Sequence, residues 1–211
     1  MKKKGVLIVI SGFSGVGKGT VVKKLIEKYQ YSLSVSATTR APRTGEEDGK
    51  DYYFKSVEEF RNLIDYNGFI EWAQYVENYY GTPRKFVEDE LEKGNNVILE
   101  IEVQGAMRVK EQYPDAVLVF LTAPDAYSLK ARLEGRGTED AKVIAKRLKR
   151  AYEETDDMQF YDYLVVNDDL DTCVEHVNAV IIAEGFKTSS NKEYIQKTKN
   201  ELAEIRKEIT L

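Results

Sequence analysis

A chain of 211 residues, 42% hydrophobic and 32% charged, has the make-up of a globular protein built as one unit or as one core with insertions. Its formal net charge of −5 excludes a broad basic surface for nucleic acid, so any anionic ligand must be held by local cations. A single cysteine, Cys173, and a single histidine, His176, exclude an internal disulfide, a cysteine-based zinc cluster and a His-rich metal site, and argue against a Ser-His-Asp triad.

The opening Lys2-Lys3-Lys4 has the charge of a signal-peptide start, but the apolar stretch after it breaks at Ser11-Gly12 with no cleavage pattern. Val6 to Ile10 is also too short to span a bilayer, and the expectation is a cytoplasmic protein that binds no membrane. Val6 to Ser11 is rich in β-branched residues and reads as a buried parallel strand. From Lys18 to Lys28, Val21, Val22, Leu25 and Ile26 recur at helical spacing.

The segment from Ser34 to about Glu92 interrupts that rhythm. Tyr52 to Phe54 and Phe69 to Tyr75 read as strands of a small separate sheet. Ser56 and Glu59 make a capping box ahead of a helix near Val57 to Ile64. Further strands are expected at Val97 to Ile101, Val117 to Leu121 and Leu164 to Val166, with helices at Ala106 to Gln112, Ser128 to Glu134, Asp140 to Asp157 and Leu170 to Glu184. Alternating strands and helices imply an α/β fold with a parallel sheet covered on both faces. Beyond Gly185 the sequence turns polar, with a linker at Thr188 to Asn191 and a terminal helix over Tyr194 to Ile209.

The most specific motif is Gly12-Phe13-Ser14-Gly15-Val16-Gly17-Lys18-Gly19-Thr20, set between a strand and a helix. Glycines let successive N–H groups turn into one concavity, the helix N-terminus adds positive potential, and Lys18 adds a mobile charge for β- and γ-phosphates. The hydroxyl that usually follows the lysine and meets Mg²⁺ is replaced by Gly19, with Thr20 one place later. The ion is therefore expected to be held mainly by nucleotide phosphates and water. Downstream, Arg40 and Arg43 lie close together on a stretch that Pro42 keeps extended, and paired guanidinium forks suit a phosphate monoester.

With these residues together, the sequence resembles the guanylate kinase family. The resemblance is carried in order by the phosphate loop, Ser36 to Arg43 with Glu46, Gly49-Lys50-Asp51-Tyr52, Phe69-Ile70-Glu71-Trp72, Asn78-Tyr79-Tyr80-Gly81-Thr82, Glu100-Ile101-Glu102-Val103-Gln104-Gly105, Leu133-Glu134-Gly135-Arg136-Gly137-Thr138 and Val166-Asn167-Asp168-Asp169. It covers roughly 5–184 and leaves the tail, 185–211, outside.

The resemblance implies a P-loop nucleoside monophosphate kinase. Its core would be 5–33, 95–125 and 158–184, its inserted α+β acceptor subdomain about 34–94, and its helical lid about 126–157. It implies transfer of a phosphoryl group from ATP, with Mg²⁺, to GMP and dGMP, in purine nucleotide metabolism and GMP recycling. Arg40, Arg43, Tyr52 and Tyr80 would hold the GMP phosphate, and Ser36, Glu71, Thr82 and Glu102 would face guanine. The chemistry agrees: carboxylates accept from guanine N1 and N2, and hydroxyls donate to O6. Many family members have aspartate where this chain has Glu102, so its reach differs by one methylene. Lys18 and the lid arginines Arg136 and Arg147 would act on the transferring group. Arg132 would lie near the same site, and Asn167 and Asp168 near the adenine. A scaffold domain that had lost catalysis would also have lost the phosphate loop, which is retained here. The number of subunits is left open.

Overall fold

The computed structural model describes residues 4–75, 77–135 and 140–209. The chain runs β1 (Leu7–Gly12), α1 (Lys18–Tyr29), β2 (Ser32–Leu33), β3 (Ala37–Thr38), β4 (Tyr53–Phe54), α2 (Val57–Asp65), β5 (Phe69–Tyr75), β6 (Asn78–Pro83) and α3 (Arg84–Lys93). It continues through β7 (Val97–Glu100), α4 (Val103–Gln112), β8 (Val117–Thr122), α5 (Ala126–Glu134), α6 (Ala141–Glu154), β9 (Tyr163–Val166), α7 (Leu170–Phe186) and α8 (Lys192–Ile209).

Five strands form a parallel sheet in the order β2-β7-β1-β8-β9. Every residue of β1 is buried, as expected of a central strand covered on both faces. The period of two divides its apolar residues between two cores. Ile8 and Ile10 pack with Val21, Val22 and Leu25 of α1 and Val174 and Val177 of α7. Leu7 and Val9 pack with Val87 and Leu91 of α3 and Ala106 and Val109 of α4. Each fully buried side chain of this size contributes about 1.5–3 kcal/mol relative to exposure.

The inserted segment builds a second sheet, β4-β3-β6-β5, in which β3 and β4 are parallel and the other pairings antiparallel. The capping box at α2 forms as read: Glu59 N–H donates to Ser56 Oγ, and Ser56 N–H donates to the Glu59 carboxylate. Three strands and one α-helix were not read from the sequence. β2 lies at an edge of the main sheet, β3 and β6 are the two central strands of the small sheet, and α3 follows directly after Pro83. Because Val87 and Leu91 of α3 sit in the main core, the chain has rejoined that core before residue 94. The expected linker at Thr188–Asn191 is a 3₁₀ turn leading into α8.

The small sheet depends on one aromatic stack. Phe60, fully buried, lies 4.4 Å from Phe69 and 5.5 Å from Tyr79, centroid to centroid. Phe60→Ala should cost about 3–5 kcal/mol, read as a drop in the urea midpoint. An unchanged midpoint would show that the stack does not hold the subdomain.

Candidate active site

A cleft of about 630 Å³ opens between the two sheets and is lined from both sides. Ser14 and Lys18 come from the phosphate loop, Ser36, Tyr52, Glu71 and Tyr80 from the inserted segment, and Arg147 and Arg150 from α6. Glu100, Glu102 and Gly105 approach from the end of β7 and the start of α4. The cleft lies where β1 and β7 end, at the carboxyl edge of the parallel sheet.

On the donor side, Gly17 takes φ +93° as the N-cap of α1, a left-handed conformation that favours glycine. Lys18 folds over the loop and donates from Nζ to the Gly12 carbonyl at 2.6 Å. Asn167 is buried and donates to the Val16 carbonyl at 2.8 Å, while Arg132 donates to the Asn167 carbonyl at 2.7 Å. Asn167 therefore braces the loop from the end of β9, and Arg132, on α5, holds the Asn167 backbone in place. Asp168 is exposed, and Gly19 and Thr20 lie on the solvent side of the first turn of α1. Phe13, by contrast, is buried and meets Phe120 edge-on at 4.9 Å, anchoring the loop in the core. The side chain of Arg147 donates to the Ser14 hydroxyl, joining the lid helix to the loop. Arg136 lies outside the described residues.

On the acceptor side, Arg40 makes two 2.9 Å hydrogen bonds to Glu46 and lies over the Tyr52 ring at 5.3 Å. The Glu46 carboxylate holds the Arg40 guanidinium pKa above its ordinary value, and Arg40 in turn holds Glu46 low. Glu46 also accepts from the Arg43 backbone N–H at 2.7 Å, so one carboxylate organises the loop that carries both arginines. Arg43 is exposed, and Tyr52 and Tyr80 meet edge-on at 6.1 Å.

Glu71 and Thr82 are directly opposed in the β5–β6 ladder, and the Thr82 hydroxyl donates to Glu71 Oε1 at 2.7 Å. Both residues are buried, and burial raises the Glu71 pKa. The carboxylate fits against α4 because position 105 is glycine: a Cβ there would stand 3.0 Å from Glu71 Oε2. Glu102 caps the start of α4 without a side-chain hydrogen bond to that helix and instead pairs with Arg150 at 2.9 Å. Its side chain is 62% exposed.

Glu100, the first residue of the Glu100–Gly105 motif, is a further site residue with no role implied by the family resemblance. It ends β7, and its pKa is raised by burial, against the opposing influence of Lys18. A Cβ at position 19 would lie 3.6 and 3.7 Å from its two carboxylate oxygens. The place beside the missing Ser/Thr is thus occupied by a carboxylate from the neighbouring strand. The signal for it was parity: Ile98 faces α1, so two residues on Glu100 faces it too. Ser34 also lines the cleft, buried, with its hydroxyl unpaired among the described residues.

The arrangement joins a phosphate-binding loop, a pair of arginines suited to a monoester and a buried carboxylate suited to a base. A sequence model of the guanylate kinase family matches residues 4–184. The chain is 51% identical over 202 residues to a guanylate kinase of Caldanaerobacter subterraneus subsp. tengcongensis, covering 95% of this chain and 98% of that one. It is 53% identical over 189 residues to one of Streptococcus thermophilus, covering 89% and 90%. The crystal structure of guanylate kinase from Anaplasma phagocytophilum superposes with a TM-score of 0.73 at 36% identity, covering 89% of this chain and 90% of that one. On the strength of these matches over nearly its whole length, the chain belongs to the guanylate kinase family.

Proposed function

We propose a division of labour among these residues for the ATP-dependent phosphorylation of GMP to GDP, the activity that membership of this family gives the chain. The observation that carries the proposal is the single cleft lined by both Lys18 and Glu71. One binds phosphate and the other reads a base.

ATP would place its phosphates on the loop Gly12 to Thr20, with Lys18 leaving the Gly12 carbonyl for the γ-phosphate. Arg40, Arg43, Tyr52 and Tyr80 would hold the GMP phosphate. Glu71 would accept from guanine N1–H and the 2-amino group, with Glu102 as a second acceptor and Ser36 donating to O6. Thr82, whose proton already goes to Glu71, would orient that carboxylate. Adenine would offer no donor to the second oxygen of the buried Glu71, the kind of mismatch that discriminates strongly.

A GMP phosphate oxygen attacks the γ-phosphorus in line as the bond to the β–γ bridging oxygen breaks. The attacking oxygen is already ionised, so no general base is needed and the lack of a histidine in the cleft is no obstacle. Lys18, Arg147 and Arg136 would share the negative charge of the transition state. Closure of the lid over the cleft would exclude water, the competing acceptor.

Among the described residues no three or more His, Cys, Asp and Glu are grouped to hold a metal by themselves. The donors beside the loop nevertheless suit a hard cation. The Glu100 carboxylate, which faces position 19, would share Mg²⁺ with the ATP phosphates and water. When bound, the ion neutralises charge on the β- and γ-phosphates. The assigned residues address the base and the phosphate and leave the sugar hydroxyls alone, so dGMP would be a second acceptor. We place the reaction in the cytoplasm and in purine nucleotide metabolism, including GMP recycling.

Coupled assay of ADP formation with GMP, dGMP, AMP, IMP and no acceptor tests the reading. Lys18→Ala should lower kcat by about 10²–10³-fold while GMP binding, measured by calorimetry, persists. Near-normal turnover would remove Lys18 from the donor site. Glu100→Gln should raise the Mg²⁺ concentration for half-maximal rate by about 10–100-fold, and an unaltered Mg²⁺ titration would count against a role at the ion.

Glu71→Gln should reduce kcat/KM for GMP by about tenfold to a thousandfold and for AMP, which lacks both donors, much less, with IMP, which keeps N1–H, in between. Equal losses with all acceptors would mean that Glu71 does not read the base. The same variant tests the cost of burial. A folded pKa above the unfolded value means that the native state holds this proton more tightly. That contribution to stability is complete below the unfolded carboxylate pKa and is lost as pH rises through the folded one. Relative to the parent, Glu71→Gln should therefore gain urea resistance on going from acid to pH 8, and a constant difference would refute the linkage.

A further inference from the structure

Helix α8 is 18 residues long and has no buried residue. Only Thr198 along it is even partly covered, and it meets the rest of the molecule through the 3₁₀ turn that precedes it. A lone helix of this length is marginal in water, because its stability normally comes from packing an apolar face. Such a face exists and is uncovered. Ile195, Leu202 and Ile209 repeat at intervals of seven, with Thr198 and Ile205 between them, and Leu202 is 60% exposed. The spacing is the a/d seam of a coiled coil, with Ile195, Leu202 and Ile209 at a and Thr198 and Ile205 at d.

The flanking charges say what covers the seam. Lys199 and Arg206 fall on one side of it, at e, and Glu201 and Glu208 on the other, at g. Side by side and parallel, two such helices set the acidic flank of one against the basic flank of the other, with Glu201 meeting Arg206 of the neighbouring copy. Antiparallel helices would instead oppose like flanks, Glu with Glu and Lys or Arg with Arg. The seam is thus complementary to itself in one direction only. We infer that α8 is a self-association element, and that copies of this chain assemble through a parallel coiled coil of their C-terminal helices.

The ion pair that Glu201 makes within the helix, with Lys197 at 3.5 Å, is an exposed contact that association can exchange at little cost. Leu at a and Ile at d favour more than two strands, so the assembly should be a trimer or larger. The seam covers little more than two heptads, so association should be reversible and concentration-dependent.

Sedimentation equilibrium of the full chain from about 1 to 100 μM tests the inference. The parent should associate, and the double variant Leu202→Asp with Ile205→Asp should weaken association by about a hundredfold or more, with GMP kinase activity showing that its core is folded. Glu201→Arg alone should weaken association, and adding Arg206→Glu in the same chain should restore it. A parent that is monomeric throughout overturns the proposal, including a monomer whose melting temperature falls with the Asp variant, since its helix then folds onto its own core. An Asp variant that associates like the parent overturns it as well. Glu201→Arg that strengthens association, or leaves it unaltered, overturns the parallel arrangement.

Discussion

Two polyanionic nucleotides must be brought to bonding distance, and their mutual repulsion is the constraint around which this site is arranged. A chain of net charge −5 has no general field to offset it, so the cations must be local. Several line or flank the cleft, and each already has an acceptor. Lys18 sits on the Gly12 carbonyl, Arg40 on Glu46, Arg147 on Ser14 and Arg150 on Glu102. The acceptors hold the long side chains near the substrates and limit the repulsion among the cations. Exchanging a carbonyl or hydroxyl for a phosphate is then a small movement with a large electrostatic return. The return grows as water leaves, since two unit charges 4 Å apart interact by about 1 kcal/mol in bulk water and about 4 kcal/mol near a protein surface.

The fold supplies the convergence that such an arrangement needs. Parallel strands end on the same side, so the loop after β1 and the carboxylate ending β7 arrive together, with Ile10 in register with Glu100. The Ser11 hydroxyl donates to the Ile101 carbonyl at 2.8 Å and fixes the exit of β7 beside β1. The acceptor sheet is fastened to the same edge through α4. Gln112 donates to the Ile70 carbonyl at 2.6 Å, and Arg84 reaches the Phe69 carbonyl and Gln112 at 2.8 Å each. Strand β5, which carries Glu71, is therefore clamped to the helix whose first turn follows Glu102. The two carboxylates assigned to guanine come from different sheets and are related by one rigid helix.

What could be read in the sequence divides along the range of the interaction. The phosphate loop was legible because glycine, lysine and helix start are local requirements met within nine residues. The capping box at Ser56 and the apolar strands were legible for the same reason. The coupling of Glu71 to Thr82 was not, because it depends on an antiparallel register that places residues eleven apart directly opposite each other. Family resemblance named both as facing guanine, whereas the hydroxyl is turned to the carboxylate. β3 is only two residues long, too short for any periodic pattern to register. α3 was missed because Pro83 and the charged run after it conceal Val87 and Leu91, whose burial becomes visible only against β7 and α4.

Helix α6 shows why binding of either nucleotide should be felt by the other. Arg147 and Arg150 are three residues apart and share a face. One reaches Ser14 on the donor loop, and the other reaches Glu102 on the acceptor side. Arg150 is also held by Glu154 at 2.8 Å, a carboxyl group whose own pKa burial raises. A GMP molecule that engages Glu102 competes with Arg150 for that carboxylate, and an ATP molecule on the loop competes with Ser14 for Arg147. Either event changes the contacts of the same rigid helix and alters the position that suits it best. Coupling of this kind needs no separate signalling path. It follows from mounting two cations on one helix whose partners belong to different substrates.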